Sequence, residues 1–393
     1  MLDLTPVKPS LQKLQAVEAE LSSVLIEREE AIRAAIIALL TRQHLALIGV
    51  KGAAKSHLFI ELARRISPPS GTGLRYFGYL MTKFTTPDEL FGPPSVKGLK
   101  NDEFKRITTG TLIEAEIGFL DEIYKANSAI LNSLLTIMNE RVFFNGTTQT
   151  KVPLISLFSA SNELPQGQEL EALWDRTLVR LMISYVSESG FSKLMRMMAQ
   201  NRAARSVPQT LLQTELIALQ QTVEQIPVSD FVIGILEQLR KDLGAKGIFL
   251  SDRRWGQSQD VLRAHALLEG RSVIDEDDLL ILKHCLWENP EHTTEIGRIV
   301  ARIGNPLNSK AVEIGDQAAS IHQETMKAQL NGANDEQKMN AAAEGATKLK
   351  KSFGQLDKLH EQAKAQGKST SRIGKVIEQV QQMREEVARL VLN

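Results

Sequence analysis

The run Gly49-Val50-Lys51-Gly52-Ala53-Ala54-Lys55-Ser56 joins small residues to a Lys-Ser pair, a composition suited to holding a polyphosphate. Small side chains let backbone N–H groups close around phosphate oxygens, and a helix that starts at the Lys turns its partial positive charge toward them. Lys55 is then placed to reach β- and γ-phosphates, and the Ser56 hydroxyl to hold Mg²⁺. Ala54 departs from the general pattern, which has Gly before the Lys. A second chemical pair, Asp121-Glu122, closes the apolar run Ile117-Gly118-Phe119-Leu120. Asp121 suits Mg²⁺, usually through water, and Glu122 suits orienting and deprotonating an attacking water. Two solvated acids at a strand end are the bland alternative.

Three further positions fit the same chemistry. Asn162 ends Leu157-Phe158-Ser159-Ala160-Ser161, where an amide holds the attacking water or contacts a γ-phosphate, or simply ends a strand. Arg176 and Arg180 flank a helix end, and Arg253 and Arg254 open a later helix. Guanidinium groups supplied from elsewhere in a fold or assembly stabilise the charge that spreads over a transferring phosphoryl group. Pairing with Asp175 or Asp252 is their alternative use.

These residues need elements to position them. The run His44 to Ile48 is an apolar strand before the loop, and Leu58 to Ala63 continues as a helix. Upstream, Leu11, Leu14, Val17, Leu21 and Leu25, then Ile32, Ala35, Ile36, Leu39 and Leu40, recur at helical spacing. The loop helix is expected to end at Ser67-Pro68-Pro69, with an extended segment near 75–80. A hairpin is expected over 98–109, a helix over 128–141 capped by Asn127 or Ser128, and a second hairpin around Asn145-Gly146. Strands are expected over 154–160 and 179–186, with a short helix over 170–178 between them. Helices alternating with continuous apolar strands predict a parallel sheet covered on both faces, with ligands at the strands' carboxyl ends.

Strand signals nearly stop after Ser189. Helices are expected at 231–243, 252–268 and 275–287, followed by a helical tail from about Thr293. Breaks are expected at Asn331-Gly332-Ala333-Asn334 and Gly367-Lys368-Ser369-Thr370. The last segment carries Ile373, Val376, Val380, Met383, Val387 and Leu390, a heptad seam. Such a seam packs on its own chain as a helical hairpin or meets another protein. The expected division is a core over 1–188, a helical lid over 189–290 and an extension over 291–393.

The chain has 393 residues, enough for two or three domains, and its 47 basic residues balance 47 acidic ones. That balance argues against a dedicated nucleic-acid binder. No stretch is long and apolar enough for a membrane span, and no signal sequence is read at Met1. Cys285 is the only cysteine, so an internal disulfide is excluded and a cytoplasmic setting is expected. Its apolar neighbours point to a buried thiol rather than a nucleophile.

Taken together, GVKGAAKS at 49–56, GFLDEIYKANSAILNSLLTIMNER at 118–141, FSASNELP at 158–165, EALWDRTLVRL at 171–181 and SDRRW at 251–255 resemble the MoxR family of AAA+ ATPases, closest to its RavA-like branch. The resemblance covers about residues 8–290. It implies an α/β P-loop core with a parallel sheet between helices, an all-helical lid and a helical C-terminal tail. It implies ATP and Mg²⁺ as cofactors, with nucleotide at Gly49, Gly52, Ala53, Ala54, Lys55, Ser56 and His57, and metal at Ser56 and Asp121. Glu122 is the implied catalytic base, Asn162 sensor 1, Arg176 the arginine finger and Arg253 sensor 2. The family's Ala before the Lys accounts for Ala54, whereas Lys51 replaces a usual Pro. Both hairpins match insertions of the family's larger clade, which can line a ring's pore.

A finger at Arg176 would face a neighbouring subunit, so the resemblance implies a ring, usually a hexamer. MoxR-like proteins act as chaperone-like motors, often beside a separate protein with a von Willebrand factor A domain; no Asp-x-Ser-x-Ser run occurs here. The leading expectation is therefore a ring-forming ATPase that remodels a protein partner. A nucleotide-gated scaffold with little turnover and a DNA-stimulated ATPase are the alternatives.

Overall fold

The computed structural model describes residues 2–67, 74–199, 210–304, 306–330, 335–366 and 370–392. Two compact units are present, residues 1–293 and 294–393. The first begins with α1 (Lys8–Val24) and α2 (Glu29–Thr41), then β1 (Leu45–Gly49), α3 (Lys55–Arg64), β2 (Ile66–Ser67) and β3 (Tyr76–Leu80). Short helices α4 (Pro87–Phe91) and α5 (Val96–Leu99) precede β4 (Ile117–Asp121), α6 (Ser128–Glu140), β5 (Val142–Asn145), β6 (Thr148–Lys151) and β7 (Ser156–Ser161). This unit continues through α7 (Gln168–Arg176), β8 (Val179–Ile183) and α8 (Glu188–Ala199). The first unit ends with β9 (Leu211–Leu212), α9 (Gln213–Gln225), α10 (Asp230–Gly244), α11 (Asp252–Leu268) and a 3₁₀ helix, Glu276–His284.

A five-stranded parallel sheet has the order β3-β4-β7-β1-β8. Its central strands are buried nearly throughout, as continuous apolar runs in a parallel sheet must be. Helix α6 shows how the sequence builds one layer. Asn127 Oδ1 accepts from Ile130 N at 3.1 Å and caps the helix. Ile130, Leu131, Leu134, Ile137 and Met138 then form its buried face, each contributing roughly 1.5–3 kcal/mol by leaving water. The helix ends at Arg141, which takes a left-handed backbone (φ 56°) and donates to the Met138, Arg42 and Ile155 carbonyls. His44 Nδ1 accepts from Leu157 N at 2.9 Å, and its Nε2 lies 3.0 Å from Met138 O and 2.8 Å from Arg141 Nη1.

Two sequence expectations are corrected here. Residues 98–109 do not form a hairpin. Ser95 Oγ accepts from Gly98 N and starts helix α5, whose N–H groups bond within the turn, and among the described residues a single bridge, Pro94 with Arg106, remains. Residues 276–284 wind as a 3₁₀ helix rather than an α-helix, with buried Asp278 at their start held by Arg271 and His265. The second hairpin forms as β5–β6, with Gly146 at its turn. A Cβ there would meet the Phe104 carbonyl at 2.0 Å, because the turn lies against the 93–107 loop. Asn145 fixes that contact: its Oδ1 accepts from Arg106 N at 2.6 Å and its Nδ2 donates to Arg106 O at 3.1 Å.

The second unit contains α12 (Thr293–Gly304), α13 (Pro306–Leu330), α14 (Asp335–Ala365) and α15 (Ser371–Leu392). The last three pack on one another pairwise. Ile373, Val376, Val380 and Val387 are buried against residues such as Ala311, Leu349 and Leu356. The seam thus packs on its own chain, in a three-helix arrangement rather than a hairpin. Pro68, Pro69, residues 331–334 and residues 367–369 lie outside the described residues. Among the described residues, no helix is long and apolar enough to cross a membrane.

Candidate active site

Sheet register brings the three chemical segments together. Asp121 is level with Ala160, and Ser161 with Ile48, so β4, β7 and β1 end side by side. β7 lies between the other two, which puts Asn162 between the phosphate loop and Glu122. β1 is flanked by β7 and β8, strands far from it in sequence, so the loop leaves the sheet at a topological switch point, where α/β sheets bind ligands.

Gly49 ends β1 with φ 145°, and a Cβ there would meet the Ile183 carbonyl at 1.9 Å. No other residue lets the loop leave the sheet so close to β8. Ala54 caps α3 with φ 61° and ψ 23°, the left-handed conformation that explains why Gly usually stands there. An L-residue takes that conformation at a cost of about 1–2 kcal/mol. Lys55 Nζ donates to Gly49 O at 2.8 Å and Asn162 Oδ1 at 3.2 Å. Burial holds its ammonium below the usual lysine range, Asp121 and Glu122 pull it back up, and Lys51 pushes it further down.

Glu122 also has a left-handed backbone (φ 55°), a conformation found at strained functional positions. Its Oε1 accepts from Asn162 Nδ2 at 2.5 Å, and its Oε2 lies 3.4 Å from Lys125 Nζ. Asp121 Oδ1 accepts from Glu122 N at 3.0 Å. A cleft of about 1010 Å³ is lined by Lys51 to His57, Asp121, Glu122, Lys125 and Asn162, with Leu80 to Phe84 as a further wall. That volume accommodates a nucleoside triphosphate. Mg²⁺ keeps most of its shell as water and phosphate oxygens and needs one or two protein oxygens. Ser56 and Asp121, both lining the cleft, fit that donor set.

Sequence reasoning missed three contributors. Lys125 stands three residues after Glu122, and the 3₁₀ turn Ile123–Lys125 folds it back. Leu80 ends β3 and Met81 to Phe84 follow it, with Phe84 90% exposed at the cleft. Arg28 is buried between the first two helices; its Nε donates to Ala53 O at 3.2 Å and its Nη2 to Ser184 O at 2.8 Å, tying the phosphate loop to the end of β8. The acid-rich run around Arg28 was the one visible signal, and it reads as an ordinary helix start.

The four candidate arginines lie outside the cleft lining and behave in two ways. Arg180 is fully buried: it donates to the Trp287, Trp174 and Thr177 carbonyls and stacks over the Trp174 ring at 3.8 Å. Burial pushes its guanidinium down to about 9, with Arg254 adding to the shift and Glu288 opposing it. Arg254 is equally buried and donates to the carbonyls of Leu178, Cys285, Asp175 and Thr177. Arg176 and Arg253 are not enclosed. Arg253 meets Asp175 at 3.4 Å, and Arg176 donates to Ala172 O at 2.8 Å while its buried Nε has no hydrogen-bond partner among the described residues. Burial and the charge of Arg253 both push the Arg176 guanidinium down, with Asp175 pulling it back up. Cys285 is buried, and burial pushes its thiol up to about 12, far from a nucleophile.

Comparison with known proteins agrees with this geometry. A family model described as the MoxR domain in the MoxR-vWA-beta-propeller ternary systems matches residues 12–221, and an AAA lid domain model matches residues 227–300. An uncharacterized protein of Methanocaldococcus jannaschii is 39% identical over 314 residues, 79% of this chain and 79% of its own. A second from the same organism is 38% identical over 317 residues, 80% of this chain and 82% of its own. The crystal structure of a candidate ATPase from Cytophaga hutchinsonii has a TM-score of 0.61 at 18% identity, covering 76% of this chain and 94% of that one, and shares the fold.

Proposed function

The chain belongs to the MoxR family and has the AAA+ ATPase fold, and on that premise we propose that it is a ring-forming, Mg²⁺-dependent ATPase that remodels or activates a protein partner. The observation that carries this reading is the linked set Lys55–Asn162–Glu122 inside one cleft at the ends of three adjacent strands. Backbone N–H groups of residues 52–56 and the Lys55 ammonium hold the phosphates. Ser56 and, through water, Asp121 would hold Mg²⁺, which when bound would supply neutralisation of phosphate charge. Glu122 accepts the proton of the attacking water, and Asn162 fixes both that carboxylate and the γ-phosphate side of the site.

Arg176 completes the site from a neighbouring copy. Its absence from the cleft lining of its own chain supports that assignment. Arg253, beside Asp175 on the lid, is assigned as sensor 2. The ring is a hexamer, and residues 1–188, 189–290 and 291–393 serve as core, lid and partner-docking extension. The partner has a von Willebrand factor A domain, in keeping with the ternary systems for which the matching model is described. A RavA-like mode of action and a cytoplasmic setting belong to the same proposal.

Turnover of wild type beside Glu122→Gln, with assembly followed by light scattering, tests the proposal. Nucleotide-dependent assembly with hydrolysis that Glu122→Gln abolishes supports it. Assembly without any wild-type hydrolysis would instead mark a nucleotide-gated scaffold.

A further inference from the structure

Glu122 is held from two sides, and only one of them is accounted for by the roles above. Asn162, just past β7, takes Oε1; Lys125, at the end of the turn Ile123–Lys125, takes Oε2 at 3.4 Å and lines the same cleft. The turn closes through Lys125 N donating to Glu122 O at 3.0 Å, which fixes where the lysine stem begins. The left-handed backbone of Glu122 fixes its Cα–Cβ direction. With both oxygens tied to different elements, rotation of the carboxylate plane is restricted. Without Lys125, it can pivot about the remaining bond to Asn162.

We propose that Lys125 is a positioning residue for hydrolysis, holding the Glu122 carboxylate in line with the attacking water and contributing nothing to nucleotide affinity. This role rests on the ATPase reading above. A cation beside a base has an opposing effect, because it lowers the basicity of the carboxylate. The Lys125 side chain is 37% exposed, and pairs of that kind interact weakly through water-screened charge. Misplacement of a reacting group by about 1 Å costs up to 10²-fold in rate. Orientation therefore outweighs basicity, and removing Lys125 slows the reaction.

The test uses the full chain with MgATP and compares wild type, Lys125→Met, Lys125→Ala and Lys125→Arg. Steady-state kcat is measured together with the Kd of a fluorescent ATP analogue. The expected result is a kcat about tenfold lower in Lys125→Met and Lys125→Ala, recovery in Lys125→Arg, and a Kd within about twofold of wild type throughout. A Kd that weakens in step with kcat would mean that Lys125 grips phosphate directly and would overturn the positioning role. Unchanged or faster turnover in Lys125→Met would overturn it as well, since the stem remains and only the charge is gone. Absence of hydrolysis in wild type would overturn the ATPase reading and this role with it, an outcome distinct from the other two.

Discussion

The phosphate cleft and the corner formed by α7, β8 and α11 both gather cations, and they hold them in opposite ways. In the cleft, Lys55 and Lys125 contact acceptors that belong to the site itself, and both line open volume. At the corner, Arg180 and Arg254 are sealed away from solvent, with most of their donors spent on carbonyls. Glu288 is shared between them, so two buried charges have one counter-ion. Such an arrangement is costly to disturb, because removing one group leaves a cluster of carbonyls without donors. The lesson is that a charge near a candidate site serves chemistry when it borders space and serves architecture when the backbone saturates it. Arg176 and Arg253 sit at the edge of the same corner without being saturated, which is why they remain candidates for contact with phosphate.

Substitutions should separate the two kinds of cation. The largest effect is expected for Arg254→Ala, a loss of about 3–5 kcal/mol in unfolding free energy by urea titration. Retained stability in that variant would break the distinction at its strongest point. Arg176→Ala should fold normally and bind nucleotide while hydrolysis falls on the order of a thousandfold, equivalent to about 4 kcal/mol in the barrier. Equal losses in binding and turnover, measured by titration and phosphate release, would reject the finger role. Lys55→Ala should weaken ATP binding by roughly 10- to 100-fold, as expected for a lost charge-assisted contact of about 1.5–3 kcal/mol, with melting little changed.

A separate effect concerns pH. His44 is buried on backbone partners, and burial pushes its ring down to about 3 from 6.5, with Arg141 adding to the shift. The unfolded chain therefore takes up a proton that the fold refuses. Stability is complete above about pH 6.5 and declines as pH falls toward 3, by roughly 1.4 kcal/mol per unit for this group. His284, pushed down to about 4 mainly by burial, acts in the same direction. Denaturant titrations between pH 7 and 4 check this, and a flat profile would show that these rings are not sealed as the structure has them.

Much of the site was legible because it is local. The loop at 49–56, the acid pair ending β4 and the amide ending β7 each declare themselves within a few residues, and a parallel sheet brings strand ends together without further instruction. The second hairpin was legible for the same reason, since Asn145-Gly146 fixes its own turn. The first hairpin was not. Ser95 caps a helix turn there, and the loop is stabilised by Asn145, some forty residues away.

The sequence by itself determined the small-residue Lys-Ser loop between a strand and a helix, because the left-handed turn at Ala54 and the order of those elements are short-range properties, whereas the close approach that demands Gly49 comes from Ile183 on β8. It could not determine which arginine of each neighbouring pair is structural. Arg253 and Arg254 share one helix start and the same chemical nature; burial alone distinguishes them, and burial is set by Trp174, Cys285 and Trp287 arriving from elsewhere in the chain. Tertiary packing likewise decided that the seam of α15 is filled by α13 and α14, since a heptad pattern specifies an apolar stripe and leaves its partner open.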